Sequence, residues 1–217
     1  MIHLTYNPEI FDVTNIQNAM NIILTPQGGL STEDRWKTEG EYLLTLMEPL
    51  HLNEQSRVLD YGCGIGRMAK LLIEKYNCWV IGVDISESMR DLAIKYVNSS
   101  HFVVCSPHGL DDDNLLKCDA TLAVWVLQHC RKPAEDVARI KQALKDGGKL
   151  FVLNNSDRRD VPTKEKSWAD DKVDIRAMLN KEFILEKINI LDTSVMAKDV
   201  ITRIYSGIYS KNGPKSL

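Results

Sequence analysis

The stretch RVLDYGCGIGR, residues 57–67, decides the fold. Its first half is a short apolar run ending in an acid, which suits a strand buried on both faces. Its second half places glycines at 62, 64 and 66, where the chain must turn tightly and bring its backbone close to another group. The following residues, to about 76, repeat apolar positions at helical spacing. Strand, glycine turn and helix in succession open an α/β unit. The turn lies at the carboxyl end of its strand, where open α/β sheets hold their ligands.

Working outward, the same alternation continues. A strand at 78–83 (CWVIGV) leads to Asp84 and a helix from Ser86 to Val97. A strand at 101–105 ends at Ser106-Pro107, and a strand at 119–125 runs into Leu127-Gln128-His129. Pro133, a favoured first-turn residue, opens a helix over 133–145 that stops at Asp146-Gly147-Gly148, and a strand at 149–153 follows. Strands and helices alternating at this spacing predict a mostly parallel sheet with right-handed crossovers. After a polar stretch at 155–170, a short helix and strands at 183–191 and 200–210 predict an antiparallel addition at one edge. Upstream, helices are expected at 14–24 and from Ser31 to about Leu50, separated by Thr25-Pro26-Gln27-Gly28-Gly29. Ser31 and Asp34 have the spacing of a capping pair. The chain thus divides into an N-terminal helical cap (1–50), an α/β core (51–211) and a flexible tail (212–217), all within one domain.

Composition narrows the partners. The chain has 217 residues, 44% apolar and 26% charged, with a formal net charge of −3. A chain that grips nucleic acid through phosphates carries a basic excess, so nucleic acid is an unlikely partner. The five cysteines form no CxxC pair and no zinc spacing, so no metal is expected. Neither a signal peptide nor a membrane span is apparent, and a cytoplasmic location is expected. The oligomeric state is not legible.

The chemistry lies at the strand tips. Asp84, at the end of the second strand, is placed to accept from both ribose hydroxyls of an adenosine. The dinucleotide pattern GxGxxG fails here: the third glycine comes one residue early, and Arg67 stands where it belongs. Asp60, two residues before the first glycine, suits a cationic ligand. S-adenosylmethionine is such a ligand, with a sulfonium, an ammonium and no pyrophosphate.

VLDYGCGIGR, IGVDIS, ATLAVWVLQH and LKDGGKLFVL, in this order, resemble the successive motifs of class I S-adenosylmethionine-dependent methyltransferases. The resemblance spans about 57–154 and extends to the terminal pair FILEKINILD and ITRIYSGIYSK. It implies an α/β fold with a single Rossmann-like, doubly wound sheet, mostly parallel with an antiparallel C-terminal strand, beneath the N-terminal cap. It also implies that Asp60, Gly62, Cys63 and Gly64 line the methionine end of the cofactor, and Arg67 is counted with them as a cofactor-binding residue. Asp84 would hold the ribose, and Ile85 and Met89 would pack near the adenine. Ser106, Pro107 and His108 replace the Asp-Ala pair that reads the adenine edge in many relatives. Trp125 would pack beside the cofactor.

Two roles stay open between a functional and a packing reading. His129 borders the methyl group in this fold and is the leading general-base candidate; otherwise it packs locally. Arg35 and Trp36, on the second helix, meet the cofactor carboxylate and shield the sulfonium if that helix caps the pocket; otherwise Trp36 enters the core. Asn154-Asn155-Ser156 and Trp168 are candidates for shaping the acceptor site. The run Asp111-Asp112-Asp113 reads as a solvated turn. The expected activity is methyl transfer from S-adenosylmethionine, giving S-adenosylhomocysteine, to an oxygen or nitrogen of a small-molecule acceptor. The rivals are a protein or tRNA methyltransferase and a non-catalytic binding module.

Overall fold

The computed structural model describes residues 5–27, 29–111, 117–156, 158, 160–165 and 168–212. The expected tail beyond 212, Gly28 and the acids Asp112 and Asp113 lie outside the described residues.

A 3-10 turn at Pro8–Phe11 precedes α1 (Ile16–Ile23) and α2 (Thr32–Leu46). The core follows as β1 (Arg57–Tyr61), α3 (Arg67–Tyr76), β2 (Trp79–Val83), α4 (Glu87–Val97), β3 (Phe102–Cys105), β4 (Cys118–Val124), α5 (Pro133–Ala143) and β5 (Leu144–Asn155). It closes with α6 (Ile175–Glu182), β6 (Ile184–Ile188), α7 (Lys198–Ile201) and β7 (Ile204–Ser210). The seven strands lie in the order β3-β2-β1-β4-β5-β7-β6. β7 runs antiparallel to both of its neighbours, and the pairs from β3 to β5 are parallel. The fold is the expected Rossmann-like sheet, and its strand order reverses between β1 and β4.

Alternation builds two core layers. In β5, Phe151 and Leu153 face a layer with Leu43, Met47 and Leu72, while Leu150 and Val152 face one with Ile140, Leu144 and Leu179. Helices cover both faces, so the strand reads as one continuous apolar run.

Three boundaries depart from expectation. The second helix stops at Leu46, because Pro49 cannot supply a helical N–H, and a 3-10 turn carries the chain from Glu48 to Leu50. α5 stops at Ala143 and the chain enters β5 at once; Gly147, at φ 75°, sits within that strand, where its N–H donates to the Lys211 carbonyl at 3.0 Å. The region 200–210 begins with the end of α7 and becomes a strand only at Ile204. β6 and β7 form the expected antiparallel addition at one edge, with β7 lying between β5 and β6, an order that no local signal encodes. The Ser31–Asp34 capping box is formed.

The N-terminal helices lie over the glycine turn. Val13 and Ala19 pack with Ile65 and Met89 in a small apolar cluster joined by Met20, Ile23 and Trp36. Among the described residues, no helix is long and apolar enough to cross a membrane.

Candidate active site

The carboxyl ends of β1, β2 and β4 floor a cleft of about 820 Å³. The glycine turn is its tightest part, with Gly62 at φ 76° and Gly64 at φ 53°. The Gly62 and Cys63 amides both donate to the Val83 carbonyl, at 2.7 and 2.9 Å, which pins the turn to β2. A Cβ on Gly62 would lie 2.2 Å from Val126 Cγ2, and one on Gly64 would lie 2.6 Å from Ile23 Cδ1. The turn is therefore pressed between the β4 loop and α1.

Asp84 locks this arrangement. The Gly64 amide donates to its Oδ2 at 2.8 Å, and the Ser86 amide, at the N-cap of α4, donates to its Oδ1 at 3.0 Å. Arg90 Nη1 donates to the Asp84 and Ile85 carbonyls at 2.8 and 3.0 Å. Burial raises the Asp84 carboxyl above its ordinary value against the pull of these amides. A carboxylate oxygen has two lone pairs, so each retains one for a further donor.

Ten of the other cofactor-binding and catalytic candidates border the same cleft, Gly62, Gly64, Ile85, Met89, Ser106, Pro107, His108, Trp125, His129 and Arg35, as do Asn155 and Trp168 from the acceptor-site candidates. Ile85 is 49% exposed, an apolar side chain left open on the cleft wall. Met89 is buried beneath the wall. Pro107 starts a 3-10 turn, with Ser106 as its N-cap. Arg35 reaches the cleft from α2 while its Nε binds Glu39 at 2.6 Å and its Nη1 donates to the Thr25 carbonyl.

The other four cofactor-binding candidates lie behind the turn and do not border the cleft. Asp60 is 3% exposed; among the described residues its Oδ2 has no hydrogen-bond partner. Burial lifts its carboxyl to about 7, opposed by the Ala69 amide in the first turn of α3. Arg67 is equally buried, lies 5.2 Å over the Trp36 ring, and is brought down to about 10 by desolvation, with Glu39 opposing. Trp36 Nε1 donates to the Tyr96 hydroxyl at 2.9 Å, tying α2 to α4. The Cys63 thiol is buried and pushed well up by desolvation.

His129 is held at both nitrogens. Gln128 Oε1 accepts the Asn155 amide at 2.8 Å, which turns its own amide nitrogen toward His129 Nε2 at 3.3 Å. Nε2 is then the acceptor, and Nδ1 donates to the Asp160 carbonyl at 2.6 Å. Burial lowers the ring's pKa, so it is neutral at pH 7. Phe11 packs edge-on against it at 5.5 Å, and Trp168 lies tilted at 5.3 Å.

Several cleft residues escaped the sequence reading. Tyr6 and Phe11 come from the first segment, where no periodicity places them. That segment is held by partners far along the chain: Asn7 N–H donates to the Pro162 carbonyl at 3.0 Å, and Lys164 N–H donates to the Thr5 carbonyl at 2.9 Å. Tyr61, Asp136 and Arg139 were also unforeseen. The Tyr61 hydroxyl donates to Asp136, and Arg139 Nε binds Asp111 at 2.9 Å. Asp111 is therefore ion-paired rather than merely solvated.

Comparison with known proteins gives this geometry a class. Residues 33–191 match the family model described as a methyltransferase domain, and the chain belongs to that family. Among curated relatives, the N-demethylindolmycin N-methyltransferase of Streptomyces griseus is 36% identical over 45% of this chain and 43% of its own length. The tRNA U34 carboxymethyltransferase of Pseudoalteromonas translucida is 31% identical over 57% of this chain and 39% of its own. The ubiquinone biosynthesis O-methyltransferase of Coxiella burnetii is 28% identical over 55% and 56%. The chain thus spans about half or less of these relatives. Two solved structures share the fold. The PH0226 protein of Pyrococcus horikoshii has TM-score 0.62 and 21% identity over 84% of this chain and 92% of that one. The [4+2]-cyclase SpnF has TM-score 0.64 and 14% identity over 99% and 88%.

Gly62→Ala combines a left-handed backbone with a clash on Val126, so it should destabilise the protein by about 2 kcal/mol or more. Thermal melting should show a midpoint lower by about 5 °C or more, and an unchanged midpoint would contradict the geometry. For Asp60, the folded carboxyl titrates near 7 and the unfolded one at 3.8. Between those values the folded state holds a proton that the unfolded state has released, so stability falls as pH rises across the window. Asp60→Asn removes this slope, which amounts to a few kcal/mol at most. Urea unfolding at pH 5 and pH 8 should show a larger loss of stability in the native protein than in the variant, and equal losses would contradict it.

Proposed function

We propose that the protein is an S-adenosylmethionine-dependent methyltransferase acting on an oxygen or nitrogen of a small-molecule acceptor. One observation carries this reading. At the cleft floor a single carboxylate, Asp84, bridges the glycine turn and the start of α4 and keeps lone pairs for two more donors. A ribose presents two adjacent hydroxyls, which matches that capacity.

The surrounding residues fit the same cofactor. Ile85 offers exposed apolar surface for a purine, with Met89 beneath it and Ser106, Pro107 and His108 along its edge. Gly62 and Gly64 bring the turn's backbone to the cleft where the methionine end would lie. Arg35, which borders the cleft and commits its Nε to Glu39 and its Nη1 to Thr25, is the candidate for its carboxylate. Asp60, Cys63 and Arg67 act from behind the turn: they shape it and set its potential without touching the ligand. When bound, the cofactor supplies the methyl group and a neutral thioether leaving group.

The chain's remaining task is alignment, exclusion of water and, for a protonated nucleophile, removal of a proton. His129 is the base in this reading. It is neutral, and its Nε2 lone pair is released by giving up the 3.3 Å contact to Gln128. The Asp160 carbonyl holds the opposite nitrogen and thereby the tautomer.

A second reading has its own support. The fold neighbour titled as a [4+2]-cyclase spans nearly the whole of this chain, so the shared fold is compatible with a different reaction.

Incubation with methyl-labelled S-adenosylmethionine and a panel of phenols, amines and hydroxy acids separates the two. Label should pass to at least one acceptor. His129→Gln should lower kcat by about 100-fold and leave the cofactor KM within about twofold. Cofactor binding without label transfer to any acceptor would favour the second reading.

A further inference from the structure

Three rings from distant parts of the chain meet at the mouth of the cleft. Phe11 lies in the N-terminal segment, His129 follows β4, and Trp168 belongs to the segment before α6. Their centroids are 5.3 to 6.4 Å apart, in edge-on and tilted contacts. Tyr6 lines the same cleft, and burial raises its phenol pKa, so it stays a neutral hydroxyl. Trp168 remains 41% exposed, a large ring left partly open beside the cleft.

We propose that this aromatic mouth selects a small planar aromatic acceptor bearing a hydroxyl or amino group. The inference rests on the methyl-transfer reading and narrows its substrate class.

Charged groups line the same cleft, among them Arg131 and the Lys132–Glu135 ion pair, and several are neutralised. His129 is neutral. Asp160 turns its carbonyl to His129, and its carboxylate accepts from Asn155 Nδ2. Arg139, Asp111 and Asp136 are paired with one another and with Tyr61, near the end of β3. The mouth therefore offers ring faces and edges, which favour another ring in a stacked or edge-on contact. The same rings touch one another in edge-on and tilted contacts, so they form a continuous wall. Two clasped segments supply that wall. The strand contact of residues 5–7 with 162–164 sets Phe11 and Trp168 beside His129, so the shape of the mouth depends on both ends of the clasp.

The test compares two probes of equal size and one hydroxyl each, p-cresol and 4-methylcyclohexanol. Each is titrated by saturation-transfer NMR into protein saturated with S-adenosylhomocysteine. p-Cresol should bind about fivefold more tightly. Trp168→Ala and Phe11→Leu should each erase that preference, while their affinity for S-adenosylhomocysteine stays unchanged. Equal affinity for the two probes in the native protein overturns the proposal, as does a preference that survives both substitutions. Displacement of p-cresol by the single-stranded RNA r(U)10 also overturns it, since the rings would then be a nucleobase platform. If S-adenosylhomocysteine itself does not bind, the methyl-transfer reading falls, and the probe comparison on the free protein still decides the aromatic site.

Discussion

The hydrogen bond from the Gly64 amide to the Asp84 carboxylate organises this molecule. It joins the turn after β1 to the tip of β2 across the floor of the cleft. The Gly62 and Cys63 amides reach the Val83 carbonyl one residue earlier, so the turn is held by backbone and side chain together. Remove that anchor and the turn is free to leave α1, which presses on Gly64 through Ile23. Asp84 is thus a structural partner of the glycine turn and an open acceptor toward the cleft. These demands are compatible because a carboxylate accepts more than two hydrogen bonds.

Around this anchor, polar groups fall into two sets. Those bordering the cleft keep capacity for a ligand. Those behind it are buried with little compensation: Asp60 Oδ2, Arg67 Nε and Nη2, and Glu39 Oε2 have no hydrogen-bond partner among the described residues. Burying such groups is costly, and the fold meets that cost by clustering opposite charges. Arg35 pairs with Glu39, Arg67 stacks on Trp36, and the Asp60 carboxyl is lifted toward neutrality. Stability is traded for a rigid support beneath the glycine turn.

The fold was legible because its signals are local. Residues 57–67 contain strand, turn and helix start in one run, and the later strands repeat the pattern at regular spacing. The Ser31–Asp34 cap was equally local. The position of β7 between β5 and β6 was not, since it depends on pairing across the completed sheet. The site divides in the same way. Gly62, Gly64 and Asp84 sit where motif and strand tip place them. Asp60 and Arg67 lie in the same motif, yet their side chains point behind the turn, because side chains alternate along β1 and radiate around α3. Tyr6 and Phe11 could not be found, since the clasp holding them joins residues about 160 positions apart.

The central claim is that Asp84 and the glycine turn form an adenosine site. Titration calorimetry with S-adenosylhomocysteine on the native protein and on Asp84→Asn, with both checked for folding by circular dichroism, tests it most directly. The native protein should bind at micromolar affinity, near −8 kcal/mol, and the folded variant about tenfold or more weakly. No binding by the native protein, or equal binding by the variant, would contradict it.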